Sequence, residues 1–188
     1  MKQTDSIDSN KQGGALQFHQ IVERWQNMVY NTALSIVQVE ADAEDVTQDV
    51  FIELYQKMDT FRGESQFSTW LYRITINRAL DFEKRRKREK NGGLLKQIFS
   101  IKNEEEPANF NHPGVLLDNK EKAAALFKAL KKLPEKQKVA FTLHKIEGLP
   151  YQEIAEIMNT SLFAVESLMA RAKAGLKKML AAHYQSGA

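Results

Sequence analysis

Trp70, Arg73, Asn77, Asp81, Lys84 and Arg88 are separated by three, four, four, three and four residues, a spacing that gathers side chains on one side of an α-helix. An aromatic ring, an amide and a row of cations on one strip can stack nucleobases and hold the phosphates of a single strand. The strip runs into Lys84-Arg85-Arg86-Lys87-Arg88-Glu89-Lys90, six cations against one acid. A core tryptophan with a solvated basic end has the same pattern, so the strip alone leaves both readings open. A second face has the opposite chemistry. Asp45, Gln48, Asp49, Ile52, Glu53 and Gln56 step by three, one, three, one and three, an acid-and-amide helical face suited either to water or to a basic helical partner.

A third arrangement lies in YQEIAEIMNTSLFAVESLMA, residues 151–170. Ile154 and Met158 give a first helix its apolar side, Ala155 is the small residue at closest approach, and Val165 and Leu168 face inward from a second helix. Asn159 tolerates the left-handed conformation of the turn between them. Ser161 is a good N-cap, and Ala164 three residues later rules out a capping box. This spacing fits a helix-turn-helix as well as an αα-hairpin in a bundle. Its outward face includes Phe163, Glu166, Ser167, Ala170 and Arg171, with Lys173, Lys177 and Lys178 beyond.

Charge separates these regions. The 188 residues carry a formal net charge of only +3, yet residues 1–83 hold 13 acidic against 7 basic side chains, and residues 119–188 hold 12 basic against 6 acidic. The basic excess in the last part favours a polyanion partner and raises the helix-turn-helix reading. There are no cysteines, which excludes disulfides, thiolate metal sites and cysteine nucleophiles. His19, His112, His144 and His183 are scattered, and neither HExxH nor a phosphate loop occurs. An enzyme, a metal centre or a cofactor is therefore not expected. No apolar run approaches the ~20 residues of a membrane helix, and residues 1–10 lack a signal-peptide core; a soluble, cytoplasmic chain is expected.

These faces need helices to carry them, and the apolar periodicity supplies them. Phe18, Val22, Trp25, Val29, Ala33 and Ile36 form a stripe over residues 16–37. A second helix is expected from about Asp42 as N-cap, burying Val46, Val50 and Leu54 with Phe51 and Tyr55 beside them. Residues 61–65 read as a turn, and a third helix is expected over about 67–88. Residues 91–118 lose periodicity and contain Gly92-Gly93, Glu104-Glu105-Glu106-Pro107 and His112-Pro113-Gly114, breaker chemistry that marks a linker. Beyond it, residues 119–133 are amphipathic, Pro134 suits the start of the next helix, and Gly148 should end that helix near Glu147. The expected fold is all-α: a tail over 1–14, a helical domain over 15–90, a flexible linker over 91–118, a helix-turn-helix domain over 119–182 and a tail over 183–188.

At this point the residues resemble a family. DAEDVTQDVFIELYQKMDTFRGESQFSTWLYRITINRALDFEKRRKR (42–88) resembles region 2 of the sigma-70 family, and LPEKQKVAFTLHKIEGLPYQEIAEIMNTSLFAVESLMARAKAGLKK (133–178) resembles region 4. Their order, spacing and short chain are similar to the extracytoplasmic-function (ECF) group, which lacks region 3. The resemblance implies a specificity subunit of bacterial RNA polymerase. Asp45, Gln48, Asp49, Ile52, Glu53 and Gln56 would dock on the β′ clamp helices, and the second domain would sit on the β flap. Phe61 and Asn77 match positions that cradle a flipped base of the −10 strand, while Trp70, Arg73, Lys84, Arg85, Arg86, Lys87 and Arg88 would support opening and phosphate contact. Ser161, Phe163, Glu166, Ser167, Ala170, Arg171, Lys173 and Lys177 would face the −35 duplex. Many family members carry Lys and Arg where this chain has Glu166 and Leu168; Glu166 can instead accept a hydrogen bond from a cytosine amino group.

The division of labour is physically consistent. A base cannot be read on its pairing edge until it is unstacked, whereas a helix reads intact duplex from the groove. Residues 91–118 reach about 90 Å when extended, against the ~85 Å spanned by the roughly 25 base pairs between element centres that the family implies. An anti-sigma factor is a further partner expected by resemblance; neither a small-molecule substrate nor membrane insertion is. Two alternatives remain: a stand-alone helix-turn-helix regulator, which has no need of a strand-opening helix, and a sigma mimic that titrates an anti-sigma factor.

Overall fold

In a computed structural model that describes residues 14–61, 63, 66–92 and 120–186, the apolar stripes become helices. They are α1 (Gly14–Val37), α2 (Glu40–Lys57), α3 (Phe67–Gly92), α4 (Lys120–Lys131), α5 (Glu135–Phe141), α6 (Tyr151–Ile157) and α7 (Leu162–Ser186), with a 3-10 turn at Met58–Thr60 and a π-helical turn at Thr142–Ile146. No strand occurs among the described residues. The expected all-α class holds.

α1, α2 and α3 pack on one another. Val29, Ala33 and Ile36 of α1, Val46, Val50 and Leu54 of α2, and Leu71 and Ala79 of α3 lie at or near zero exposure, each large aliphatic contributing ~1.5–3 kcal/mol by leaving water. α2 starts earlier than its sequence suggests. Gln38 takes φ +60, its amide closing on Leu34 O at 2.8 Å, and the chain reverses so sharply that α2 begins at Glu40 with no side-chain cap. Asp42, expected as N-cap, sits in the first turn and pairs with Arg86 instead. Tyr55 also departs from expectation. It meets the edge of Phe18, ring centroids 5.1 Å apart, but stays 63% exposed.

The second half is built on α7, against which α4, α5 and α6 all pack. Pro134 O accepts the amides of Gln137 and Lys138 at 2.9 and 3.0 Å, which starts α5. The helix expected to reach Glu147 is α-helical only to Phe141 and then widens into the π turn. Gly148, at φ +74, makes the stop that its lack of a Cβ permits. The helix-turn-helix follows as expected: Asn159 adopts φ +47 and Ser161 Oγ accepts the Ala164 amide at 3.2 Å. Val165, Met169, Ala172 and Leu176 form the inward line of α7; Leu168, expected inward, lies at its margin and is partly buried.

Three further boundaries differ from the sequence reading. α3 continues four residues past Arg88, to Gly92, and α7 continues to Ser186, into the expected C-terminal tail. Gly14 opens α1. The rest of the expected N-terminal tail and the linker from 93 to 118 lie outside the described residues.

The two halves meet along a polar seam, with α3 against α6 and α1 against the π turn. Lys138 of α5 donates to Glu83 Oε2 of α3 at 2.6 Å and reaches Ile36 O at 3.4 Å; the two side chains are 2% and 9% exposed. Gln38 Nε2 donates to Phe127 O at 2.9 Å. Tyr72 OH donates to Glu147 Oε2 at 3.1 Å. Arg73 donates from Nε to Ile157 O at 3.2 Å and from Nη2 to Glu156 O at 2.5 Å.

Candidate nucleic-acid interface

The 3-10 turn after α2 and the first turns of α3 bring four aromatic rings together. Phe61 lies 5.0 Å from Trp70 at a 34° tilt and meets Phe67 edge-on at 5.6 Å. Phe67 is in turn 5.9 Å from both Trp70 and Trp25. All four rings are half-buried, so each keeps part of its surface available. Phe67 and Trp25 were not assigned to this surface from sequence, where Trp25 reads only as part of the first helix's apolar stripe; a third aromatic three residues before Trp70 was the available signal.

From about two to five turns further along α3 the strip changes character. Asn77, Asp81, Lys84 and Arg88 are exposed. Asn77 lines a polar cleft of about 380 Å³ with Glu53, Arg78, Leu80, Asp81 and Lys84. Phe61 is outside that cleft, in the aromatic cluster. Arg73 is the exception on the strip, because its guanidinium is held by the two carbonyls at the end of α6.

The cation block is not uniform. Arg86 is paired with Asp42 and largely covered. Lys84 lies 3.5 Å from Glu135, and Arg85 lies 3.9 Å from Asp49 and 5.7 Å over the Phe82 ring. Lys84, Arg85, Lys87 and Arg88 are exposed. Pairs at such exposure contribute little and yield readily to phosphate. If these four cations contact DNA, replacing all four with Gln should lower the slope of log K against log salt by about 3–4 units, at ~0.7–0.9 per neutralised phosphate. A slope measured by titration that does not move would leave the block facing water.

On α2, Asp45, Gln48, Ile52 and Gln56 are exposed and Asp49 is half-buried. Ile52, at 57%, with Tyr55 places an apolar centre within this acid-and-amide face. Tyr55 was missed because a ring at the edge of a buried stripe reads as core. Glu53 belongs to a different network. It accepts from Lys57 at 2.5 Å and pairs with Arg78 of α3. Burial pushes its carboxyl up, but the hydrogen bonds from Lys57 and Arg78 outweigh that and hold it below the usual value. The same bond raises Arg78.

Ser161, which caps α7, and Phe163, Glu166, Ala170, Arg171, Lys173 and Lys177 on it are all exposed, and Ser167 is half-buried with its Oγ 3.4 Å from Arg171. The helix therefore presents one continuous outer face that becomes cationic in its later turns.

The seam carries one titratable anomaly. Burial raises the Glu147 carboxyl above its ordinary value, partly offset by hydrogen bonds from Tyr72 and Thr32. Burial and the nearby Glu147 and Glu153 carboxylates raise Tyr72, so its hydroxyl stays protonated. Separation of the halves returns Glu147 to water. A carboxyl whose pKa is raised by an interface penalises that interface once it ionises. Closure should therefore weaken as pH rises from the ordinary carboxylate pKa near ~4.3 through the raised value, and level off above it. Glu147→Gln should flatten this profile, with the interdomain distance followed by fluorescence transfer across pH 4–8.

A helix-turn-helix with a cationic outer face, joined to a helical unit bearing aromatics and cations on one strip, defines a DNA-binding transcription protein of two modules. Residues 21–89 match the family description Sigma-70 region 2, and residues 123–176 match Sigma-70, region 4. The chain belongs to the sigma-70 family, and to its ECF type. It is 31% identical over 181 residues to the ECF RNA polymerase sigma-E factor of Escherichia coli K12, covering 89% of this chain and 88% of that protein. It is 33% identical over 177 residues to the sigma-E factor of Haemophilus influenzae, covering 89% of each. Among solved structures, the sigma factor RpoE of Bartonella quintana in complex with the anti-sigma factor NepR superposes with a TM-score of 0.64 at 25% identity, over 87% of this chain and 96% of that one. CnrH in complex with the cytosolic domain of CnrY superposes with a TM-score of 0.62 at 25% identity, over 92% and 94%.

Proposed function

We propose that this chain is a promoter-specificity subunit that binds core RNA polymerase and starts transcription by reading −35 duplex with α7 and melted −10 strand with α3 and the Phe61 turn. The observation that carries this reading is the presence of region 2 and region 4 in that order. Sigma factors are initiation factors without catalysis of their own, and the reading gives this chain none. Among the described residues no helix is long and apolar enough to cross a membrane, and the site of action is the cytoplasm, with the polymerase. An anti-sigma factor is the expected controlling partner; one structural relative, the sigma factor RpoE of Bartonella quintana, was solved with the anti-sigma factor NepR. The direct test is run-off transcription: the chain plus core enzyme should produce transcripts with defined 5′ ends from genomic fragments, and their absence refutes the reading.

In this scheme Asp45, Gln48, Asp49, Ile52 and Gln56, with Tyr55 added, form the clamp-docking face. Glu53 is the member whose carboxylate is already committed within the chain. The aromatic group around Phe61 and Trp70 and the cleft beside Asn77 are the −10 surfaces, which Lys84, Arg85, Lys87 and Arg88 flank with charge. Unstacking a base costs a few kcal/mol, and a ring and an amide that receive it act on melting more than on duplex encounter. Asn77→Ala should therefore reduce permanganate reactivity of the −10 region several-fold while leaving the footprint of the closed complex nearly unchanged. Equal loss of both would remove Asn77 from strand capture.

A further inference from the structure

The N-terminal half of the α7 outer face has a composition that limits what it can read. Phe163 is 78% exposed and Leu162 beside it 43%, although Val165, Met169 and Ala172 bury the opposite side of the same turns almost completely. Phe163, Glu166 and Ala170 follow one another at three and four residues and are all exposed. Ser161 Oγ, accepting the Ala164 amide at 3.2 Å, fixes the first turn, so Phe163 projects from a defined tip rather than a frayed end. No Lys or Arg occurs from Ser161 to Ala170. The first is Arg171, about 12 Å further along the axis at 1.5 Å per residue, and Lys173 and Lys177 follow it.

This order has a chemical consequence. The commonest specific groove contact, an Arg or Lys on guanine O6 and N7, is not available from the first two turns. An exposed phenyl ring offers apolar surface, which in the major groove matches only the thymine C5-methyl. A carboxylate accepts only from an amino group, of which cytosine N4 is the fitting donor. The cations beyond are placed for phosphates, and their charge commits this face to a duplex rather than to an apolar protein groove.

We propose that Phe163 is a specificity-determining residue that reads a thymine methyl in the −35 element, with Glu166 accepting from a cytosine amino group one or two base steps away. This rests on the reading of α7 as the −35 helix. Phe163 replaces charge-directed recognition with shape and apolar contact, and Ala170 keeps the centre of the helix slim enough for close approach to the groove floor.

The test separates the methyl from every other feature of the base. Holoenzyme reconstituted from the full chain and core polymerase selects its upstream element from a randomised duplex library. Each thymine of the recovered element is then replaced by deoxyuridine, which lacks only the C5-methyl. One such replacement should weaken wild-type binding about fourfold, the equivalent of ~0.8 kcal/mol for one buried methylene-sized group. Phe163→Ala should bind the unmodified site more weakly by at least that factor and show no further loss with deoxyuridine. Phe163 is surface-exposed, so the variant should fold, and the wild-type series reports independently of it. An element without thymine, a wild-type series insensitive to deoxyuridine, or a Phe163→Ala variant that retains the deoxyuridine penalty would each overturn the proposal while leaving −35 reading intact. A holoenzyme that selects no upstream sequence at all would instead overturn the assignment of α7.

Discussion

Lys138→Met should open the two halves of the chain, raising the separated population by about two to four orders of magnitude. The ion pair it breaks is almost dry, with Lys138 2% and Glu83 9% exposed and 2.6 Å between Nζ and Oε2. Removing one member of such a pair leaves the other buried without compensation, at a cost of ~3–5 kcal/mol. Here that cost has an escape, because separating the halves returns Glu83 to water. Glu83→Leu should do the same by stranding Lys138. The double variant Glu83→Leu/Lys138→Met removes both charges, and an apolar pair of similar volume is neutral or stabilising by ~1–4 kcal/mol, so it should stay closed. The absence of cysteines makes the measurement direct: probes on Gln20→Cys and Lys178→Cys, both exposed, report the distance between α1 and α7. Two open single variants with a closed double variant would identify the pair as the determinant of closure; three equal distances would refute it. Opening also releases Arg73 from the carbonyls of Glu156 and Ile157, which frees its guanidinium for phosphate.

Asp45→Lys with Asp49→Lys should reduce binding to core polymerase by at least a hundredfold, with little effect on folding. The face around these residues joins exposed acids and amides to an apolar centre at Ile52 and Tyr55, the combination expected of a docking surface that must attract a basic helix and then exclude water from the contact. Two charge reversals convert attraction into repulsion, which costs several kcal/mol at close approach. Glu53 is a poor choice for this test, because its bonds to Lys57 and Arg78 hold α2 to α3 and its reversal would damage the fold. Copurification with core enzyme and thermal unfolding of the free chain, measured together, distinguish the two effects. Undiminished copurification would remove the docking assignment.

Much of this molecule was legible before its structure. The stripe from Phe18 to Ile36, the turn at Asn159, the Ser161 cap and the stop at Gly148 follow from local rules, in which one residue's conformational preference decides the outcome. The helix type and the helix-turn-helix follow from that level; the family follows from the resemblance of residues 42–88 and 133–178 to regions 2 and 4. Misplaced details have a common origin in contacts distant along the chain. Asp42 has an N-cap composition but pairs with Arg86, 44 residues away. Tyr55 has a core composition but lies at the edge of the surface. Glu53 falls on the outward acid-and-amide pattern of α2, yet its carboxylate is held by Arg78, 25 residues away.

Periodicity and composition define the faces of each helix; the fold selects which of those faces meet. Residues 32–37 at the end of α1, with Gln38 just beyond, show the difference. Thr32, Ala33, Leu34, Ser35, Ile36, Val37 and Gln38 are all buried, so this turn of helix is covered around its whole circumference, although its sequence stripe accounts for one side only. The other side is covered by the second half of the chain, through Lys138 on Ile36 O and Gln38 on Phe127 O. Small and hydroxyl-bearing residues such as Thr32 and Ser35 are as acceptable to water as to a polar seam, so periodicity carries no sign of a second partner. The seam is chosen by complementarity between surfaces 55 to 102 residues apart in the chain, and that information resides in neither surface alone.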